Sequence, residues 1–319
     1  MSSYPSALLI VDTMRAAIVD GPDSPPILRD VPSPVPGPDD ELITVSAAAL
    51  NPHDQVVAAG INFVAPYPYV IGTEGVGHTA DGRRVYAGPT APPHGSLAEY
   101  TVIASKYTIP IPEQLSDAQA LGIGMAGTTA WLALTWKGQL EAGQSVLVTA
   151  ATGAVGQIAV QAAKALGAAR VVAAGRNRPA LDRLRRLGAD DVVVIDDDYS
   201  RSIAAIAGDG FDVVLDGLYG DQIGVAIRAT RRGGRVVNFG MRAGRSATIS
   251  GIELKGRDLI GFAATLAGPA RLRAAYERMV DLVLEGSLTV QAEEMPLADV
   301  AVAWQRQRDS PNTKLVLRV

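Results

Sequence analysis

In the stretch TAATGAVGQ, Ala151, Gly153 and Gly156 fall at the spacing A-x-G-x-x-G. That spacing suits the binding of a pyrophosphate. Glycine at Gly153 lets the backbone approach phosphate oxygens, Gly156 lets a helix pack on a strand, and the helix-opening amides, with Ala154 and Val155 among the residues that carry them, donate to the anion. A purely structural tight turn has the same spacing, so context decides. Here an apolar run precedes it, an amphipathic stretch follows, and a second strand comes next, which favours a dinucleotide site. The second strand ends in AAGRNRP, with Arg176 standing 23 positions after Gly153. NAD-specific folds present an acid there to the ribose hydroxyls, whereas a guanidinium offers charge-assisted hydrogen bonds to a 2′-phosphate. The predicted cofactor is NADPH, with Arg176 and Arg178 as phosphate ligands. The plainer reading of both, solvated charges opening an exposed helix, stays open, above all for Arg178.

Other chemistries are excluded by composition. The chain has no cysteine, which removes disulfides, iron-sulfur clusters, thiolate zinc sites and cysteine nucleophiles. His53, His78 and His94 are scattered, with no pair at the one-turn spacing that holds a metal on a helix, so no metal is expected. A net charge of −4 and a pI near 5.5 argue against nucleic acid and anionic membrane as partners. No apolar run reaches membrane-span length, and the opening segment, interrupted by Asp12, has no basic region or small-residue cleavage site. The expectation is a soluble, cytoplasmic protein.

The elements that must position these residues alternate from Gln144 onward. SVLVTA, RVVAA, DVVVI, FDVVLD, GRVVNF and DLIGF are six strand candidates separated by helical stretches, as in a doubly wound parallel sheet. Ahead of them, short strand-like runs are joined by proline-rich and glycine-rich turns, which predicts a separate, largely β domain. VPSPVP reads as a proline-stiffened loop between strands rather than a polyproline ligand. Near the end, LRAAYERMVDLVLEG is predicted helical, EEMPLADVAVAWQRQR a second helix with Pro296 in its first turn, and KLVLRV a strand. The expected division is residues 1–120 plus 265–319 for the first domain and 121–264 for the second. At 319 residues, two domains are the natural count.

Taken in order, NPHD from Asn51, IGTEGVG from Ile71, GSLAEY, GMAGTTAW, AATGAVG, LGADDVVV and GRVVNFG resemble the medium-chain dehydrogenase/reductase superfamily, in its zinc-independent quinone oxidoreductase branch. The resemblance runs from Met14 to the C-terminus. It implies an α/β fold in which a Rossmann domain is inserted in a GroES-like, mainly β domain, with the active site in the cleft between them. It also implies that Thr129 approaches the nicotinamide and that Phe239, Gly240 and Met241 close the fifth-strand side of the cofactor cleft. Phe239 and Met241 are equally ordinary apolar residues at a strand end. Asp54 and Glu74 match positions that hold the domain interface together. Family members commonly dimerise through the sheet edge, which here implies a homodimer through Thr248–Phe262. The departures are Asn51 and Thr73 in place of zinc ligands, the missing four-cysteine lobe, a shorter segment between Gly77 and Arg83, and a stretch before Met14 without a counterpart, expected to be a disordered extension.

Without a metal, reduction favours acceptors already activated by conjugation: quinones, enones and enals. Asn51 is the best polar candidate, able to donate its amide to a substrate oxygen or the nicotinamide ribose, although Asn before Pro is also an ordinary turn former. Tyr67 and Tyr69 are candidate proton donors, and strand tyrosines that merely pack are the plainer alternative. His53 is expected to be solvent-facing or satisfied. Two further readings remain: a 2-enoyl thioester reductase of a fatty-acid or polyketide pathway, and an NADPH-binding sensor or structural protein without turnover.

Overall fold

A computed structural model of the chain describes residues 12–22, 24–61 and 66–319. The expected extension before Met14 lies, through residue 11, outside the described residues. The chain divides into two units, residues up to 124 with 292–319, and residues 125–291.

In the first unit, β1 (Thr13–Val19) lies between β2 (Ile27–Pro32) and the two-residue β4 (Tyr69–Val70). The proline run continues from β2 into the irregular connection to β3 (Asp40–Leu50), the loop expected of it. After β3 comes α1 (Pro52–Ala58), which the sequence reading took only as a turn around Asn51. The strands β5 (Glu74–Thr79), β6 (Arg84–Ala87), β7 (Tyr100–Ala104) and β8 (Thr108–Pro110) follow, then α2 (Asp117–Gly122). β3 pairs antiparallel with β5 and with β7.

The second unit opens with α3 (Thr128–Leu132) and then alternates: β9 (Ser145–Val148), α4 (Ala154–Ala165), β10 (Arg170–Gly175), α5 (Arg178–Arg186), β11 (Asp191–Val194), α6 (Tyr199–Ala207) and β12 (Phe211–Asp216). It continues through α7 (Ile223–Ala229), β13 (Thr230–Asn238), α8 (Gly251–Leu254), β14 (Asp258–Gly261) and α9 (Pro269–Leu284). All six strands are parallel in the order β11-β10-β9-β12-β13-β14, so the order reverses between β9 and β12. Val146, Leu147 and Val148 have no exposed surface, as in a strand covered on both faces. α4 ends at Gly167, whose φ of 84° fits the left-handed cap position.

The sequence returned the chain to the first domain from residue 265, but α9 groups with the second unit. Its apolar stripe, from Leu272 through Tyr276 and Met279 to Val283, is buried, and it packs on α3. Gln161 of α4 also holds Thr289, accepting from its amide at 2.8 Å and donating to its carbonyl at 3.0 Å. The return comes with β15 (Ala292–Pro296), α10 (Val300–Arg308) and β16 (Lys314–Arg318). β15 corrects the expected helix around Pro296. It pairs in parallel with β16 at the edge of a sheet ordered β15-β16-β3-β5-β6-β8, and an edge tolerates a residue without an amide hydrogen. Among the described residues, no helix is long and apolar enough to cross a membrane.

Candidate cofactor site and buried polar cluster

In the second unit, the chain leaving β9 is tied to both neighbouring strands. Thr149 N donates to Leu215 O and Ala151 N to Ala174 O, each at 2.9 Å. Ala150 adopts a φ of 51°, unusual for a residue with a Cβ. The two glycines of the turn then differ. A Cβ on Gly156 would sit 2.5 Å from Ala151 Cα and 2.7 Å from Ala150 O, so α4 rests on the turn backbone to backbone. A Cβ on Gly153 would meet only Ala150 O, at 3.5 Å, so the fold itself leaves that position open. Gly153 is the N-cap, and Gln157 N makes the first helical bond to it at 3.0 Å. The amides of Ala154, Val155 and Gly156 precede that bond, at the positive end of a twelve-residue helix. This arrangement fits a phosphate group.

The ends of β12 and β13 converge on the same turn. A Cβ on Gly217 would lie 3.0 Å from the Phe239 ring and 3.1 Å from Ala150 Cβ, and one on Gly240 would lie 2.8 Å from Gly217 O. Phe239 and Gly240 are thus brought to the turn, while Met241 is exposed beyond them. Thr129 is half-buried in α3, with no hydrogen bond to the turn. The residue that sequence reasoning missed is Asp216. It is fully buried and accepts from Thr149 Oγ1 at 2.9 Å, from Asn238 Nδ2 at 2.8 Å and from the amides of Leu218 and Tyr219. It thereby ties three strand ends together. FDVVLDG, an acid and a glycine closing an apolar strand, was the available signal.

Arg176 follows the last residue of β10, is exposed, and has no ion-pair partner among the described residues. Arg178 is also exposed, and its Nη2 lies 4.0 Å from Asp196 Oδ2. Asn177 between them caps α5, accepting from Ala180 N at 2.9 Å.

The first unit gathers Asn51, Asp54, Thr73, Glu74, Tyr86 and Lys314, all buried. Asn51 is the N-cap of α1. Its Oδ1 accepts from Lys314 Nζ at 2.6 Å and its Nδ2 donates to Glu74 Oε1 at 3.0 Å, which leaves one N–H of the amide uncommitted by these bonds. Glu74 also accepts from Lys314 Nζ at 2.5 Å and from Tyr86 OH at 2.9 Å. Asp54 accepts from Asn51 N at 2.6 Å and from the Thr73 hydroxyl. Burial pushes its carboxyl up to about 6, against the pull of those two donors. Gly124 is a close neighbour of the cluster, for a Cβ there would stand 2.1 Å from Glu74 Oε2.

The two tyrosines divide. Tyr67 donates its hydroxyl to Ala58 O at 2.6 Å, whereas the Tyr69 hydroxyl is buried without a hydrogen-bond partner among the described residues. Burial, followed by the influence of Tyr67 and Asp54, raises the Tyr69 pKa and keeps it protonated. Burial also lowers the pKa of His53.

Fold and turn define the class first: a chain with a Rossmann-type nucleotide-binding unit and a mainly β unit. The family described as zinc-binding dehydrogenase matches residues 154–285, inside the second unit. YhfP of Bacillus subtilis (strain 168), assigned as a quinone oxidoreductase, is 32% identical over 280 residues, covering 82% of this chain and 84% of its own length. A mycocerosic acid synthase-like polyketide synthase of Mycobacterium tuberculosis is 30% identical over 309 residues, and the chain spans 14% of that protein. The quinone oxidoreductase from Thermus thermophilus, solved also in complex with NADPH, superimposes with a TM-score of 0.84 at 29% identity, covering 96% of this chain and 100% of that one. The chain belongs to the medium-chain dehydrogenase/reductase superfamily and is a quinone oxidoreductase-like oxidoreductase.

The family description implies zinc, and the side chains present do not fit it. Asn51 and Thr73 offer neutral oxygen or nitrogen, both engaged, and an ammonium 2.6 Å from Asn51 opposes a second cation. Among the described residues no three His, Cys, Asp or Glu side chains form a metal-holding group.

Proposed function

We propose that the chain reduces quinones, or conjugated enones and enals, with NADPH and without a metal. The observation that carries this reading is the turn at Gly153, where a Cβ would meet only Ala150 O, followed by three amides ahead of the first helical bond, with Arg176, which has no ion-pair partner among the described residues, at the end of the adjacent strand. The NADPH complex of the Thermus thermophilus relative supports the same cofactor.

In this reading Ala151 shapes the turn, Gly153 leaves room for the pyrophosphate, and the amides of Ala154, Val155 and Gly156 bind it. Arg176, with Arg178 beside it, takes the 2′-phosphate. Thr129, Phe239, Gly240 and Met241 border the nicotinamide. Bound NADPH supplies a hydride, and the chain must place a conjugated acceptor and stabilise the charge that develops on its oxygen. The remaining N–H of Asn51 serves as a donor whose direction Lys314 and Glu74 fix. Tyr69, whose hydroxyl is uncommitted and held protonated, is the tyrosine suited to donating a hydrogen bond to the acceptor's oxygen, its raised pKa opposing full release of the proton. A cytoplasmic setting belongs to the same reading.

The likeness to a segment of polyketide synthases favours a second reading, reduction of 2-enoyl thioesters. One experiment separates them: NADPH oxidation is followed with a quinone, an enone, an enal and a 2-enoyl thioester. Turnover of the first three supports the proposal, and turnover of the thioester alone supports the second reading. Tight NADPH binding without oxidation across the panel means a protein that binds the cofactor without turnover. Elemental analysis of active protein is the companion measurement, and one zinc per chain that activity follows on removal and re-addition would defeat the metal-free part.

A further inference from the structure

The ends of β10 and β11 lie side by side. Ile195 N donates to Gly175 O at 2.9 Å, and the next residues along the two strands are Asp196 and Arg176. An acid that is absent from the second strand of the sheet is therefore delivered by the third. Asp196 is held in place: its Oδ1 accepts from Asp198 N at 3.1 Å, while its Oδ2 faces Arg178 Nη2 at 4.0 Å. Asp198 is engaged by Arg201. Of the two guanidiniums at this sheet end, Arg178 is opposed by a carboxylate and, among the described residues, Arg176 is not.

We infer that Asp196 is a specificity-determining residue for the cofactor. By engaging Arg178 it leaves Arg176 as the principal partner of a 2′-phosphate. NADPH preference is thereby held below what two free arginines would give. The inference rests on the NADPH reading above. The charges involved are largely exposed, so the effect is moderate and weakens with salt.

Asp196→Asn tests it, because the amide oxygen can still accept from Asp198 N while the charge is gone. NADPH and NADH are titrated calorimetrically into wild type, Asp196→Asn, Asp196→Asn/Arg178→Ala and Arg176→Ala. The expected result is NADPH binding tightened roughly twofold to fivefold in Asp196→Asn, with NADH unchanged. The second substitution should abolish the gain. Unchanged NADPH affinity, an equal change for both cofactors, or a gain that survives loss of Arg178 would each overturn the inference. Wild-type protein that prefers NADH or binds neither cofactor would overturn the underlying reading and the inference with it, an outcome visible before any variant is compared.

Discussion

Lys314 and Glu74 are separated by 240 residues in sequence, yet Nζ and Oε1 meet at 2.5 Å, with the two side chains 3% and 0% exposed. The pair joins the last strand of the chain to β5. Two charges so deeply buried are compensated only while both are present. Lys314→Met should therefore destabilise by about 3 to 5 kcal/mol, read from urea unfolding. Adding Glu74→Gln should recover much of the loss, because no unpaired charge remains. A double variant as unstable as the single would mean that packing, not charge, holds this junction.

The pH response of Asp54 has a definite sign. Its carboxyl is raised by burial from 3.8 to about 6 in the folded chain, so the native state holds the proton more tightly than the unfolded one. Stability from this group is present below its unfolded pKa and is lost as pH rises through about 6. The loss is on the order of 3 kcal/mol. Asp54→Asn removes the ionisation, so the stability difference between variant and wild type should shift in favour of the variant from pH 4 to pH 7, on the order of that amount. Chemical unfolding of both proteins across that range checks it, and parallel curves would contradict it.

Gly153 and Gly156 should separate ligand from fold. Gly156→Ala forces a Cβ to within 2.5 Å of Ala151 Cα, and a loss of about 1 to 3 kcal/mol of stability is expected. Gly153→Ala meets only one atom, at 3.5 Å, and should leave unfolding nearly unchanged while weakening NADPH binding. Thermal unfolding with and without NADPH distinguishes the two variants. Equal destabilisation by both would make Gly153 a structural glycine.

Arg176→Ala should weaken NADPH and spare NADH, because only NADPH carries the 2′-phosphate. A hydrogen bond to a charged group contributes roughly 1.5 to 3 kcal/mol, which is on the order of 10- to 150-fold in Kd. Calorimetry with both cofactors is the measurement. Equal losses would assign Arg176 to the adenosine or to the fold.

At the other end of the sheet, β14 pairs only with β13 among the described residues, and Ile252 ahead of it is 69% exposed. An edge of this kind invites pairing with a second copy, so a two-fold dimer through residues 248–262 is expected. Light scattering at micromolar concentration should give twice the chain mass, and a monomer would remove this prediction.

The glycine turn, the six parallel strands and the exposed arginine after β10 were legible in the sequence because each depends on neighbours a few residues away. Apolar runs bounded by glycine specify strand and helix locally, and Arg176 is located by counting. β15 was misread as helix because its partner, β16, supplies the hydrogen bonds from beyond the intervening helix, and propensity yields to such pairing. Tyr67 and Tyr69 looked alike in sequence, and only burial left one hydroxyl bonded and the other orphaned. Tertiary structure alone brought Lys314 to Asn51 and Glu74, and Asp196 beside Arg178. Strand order and register decide which distant residues share a sheet end, and with them which charges meet.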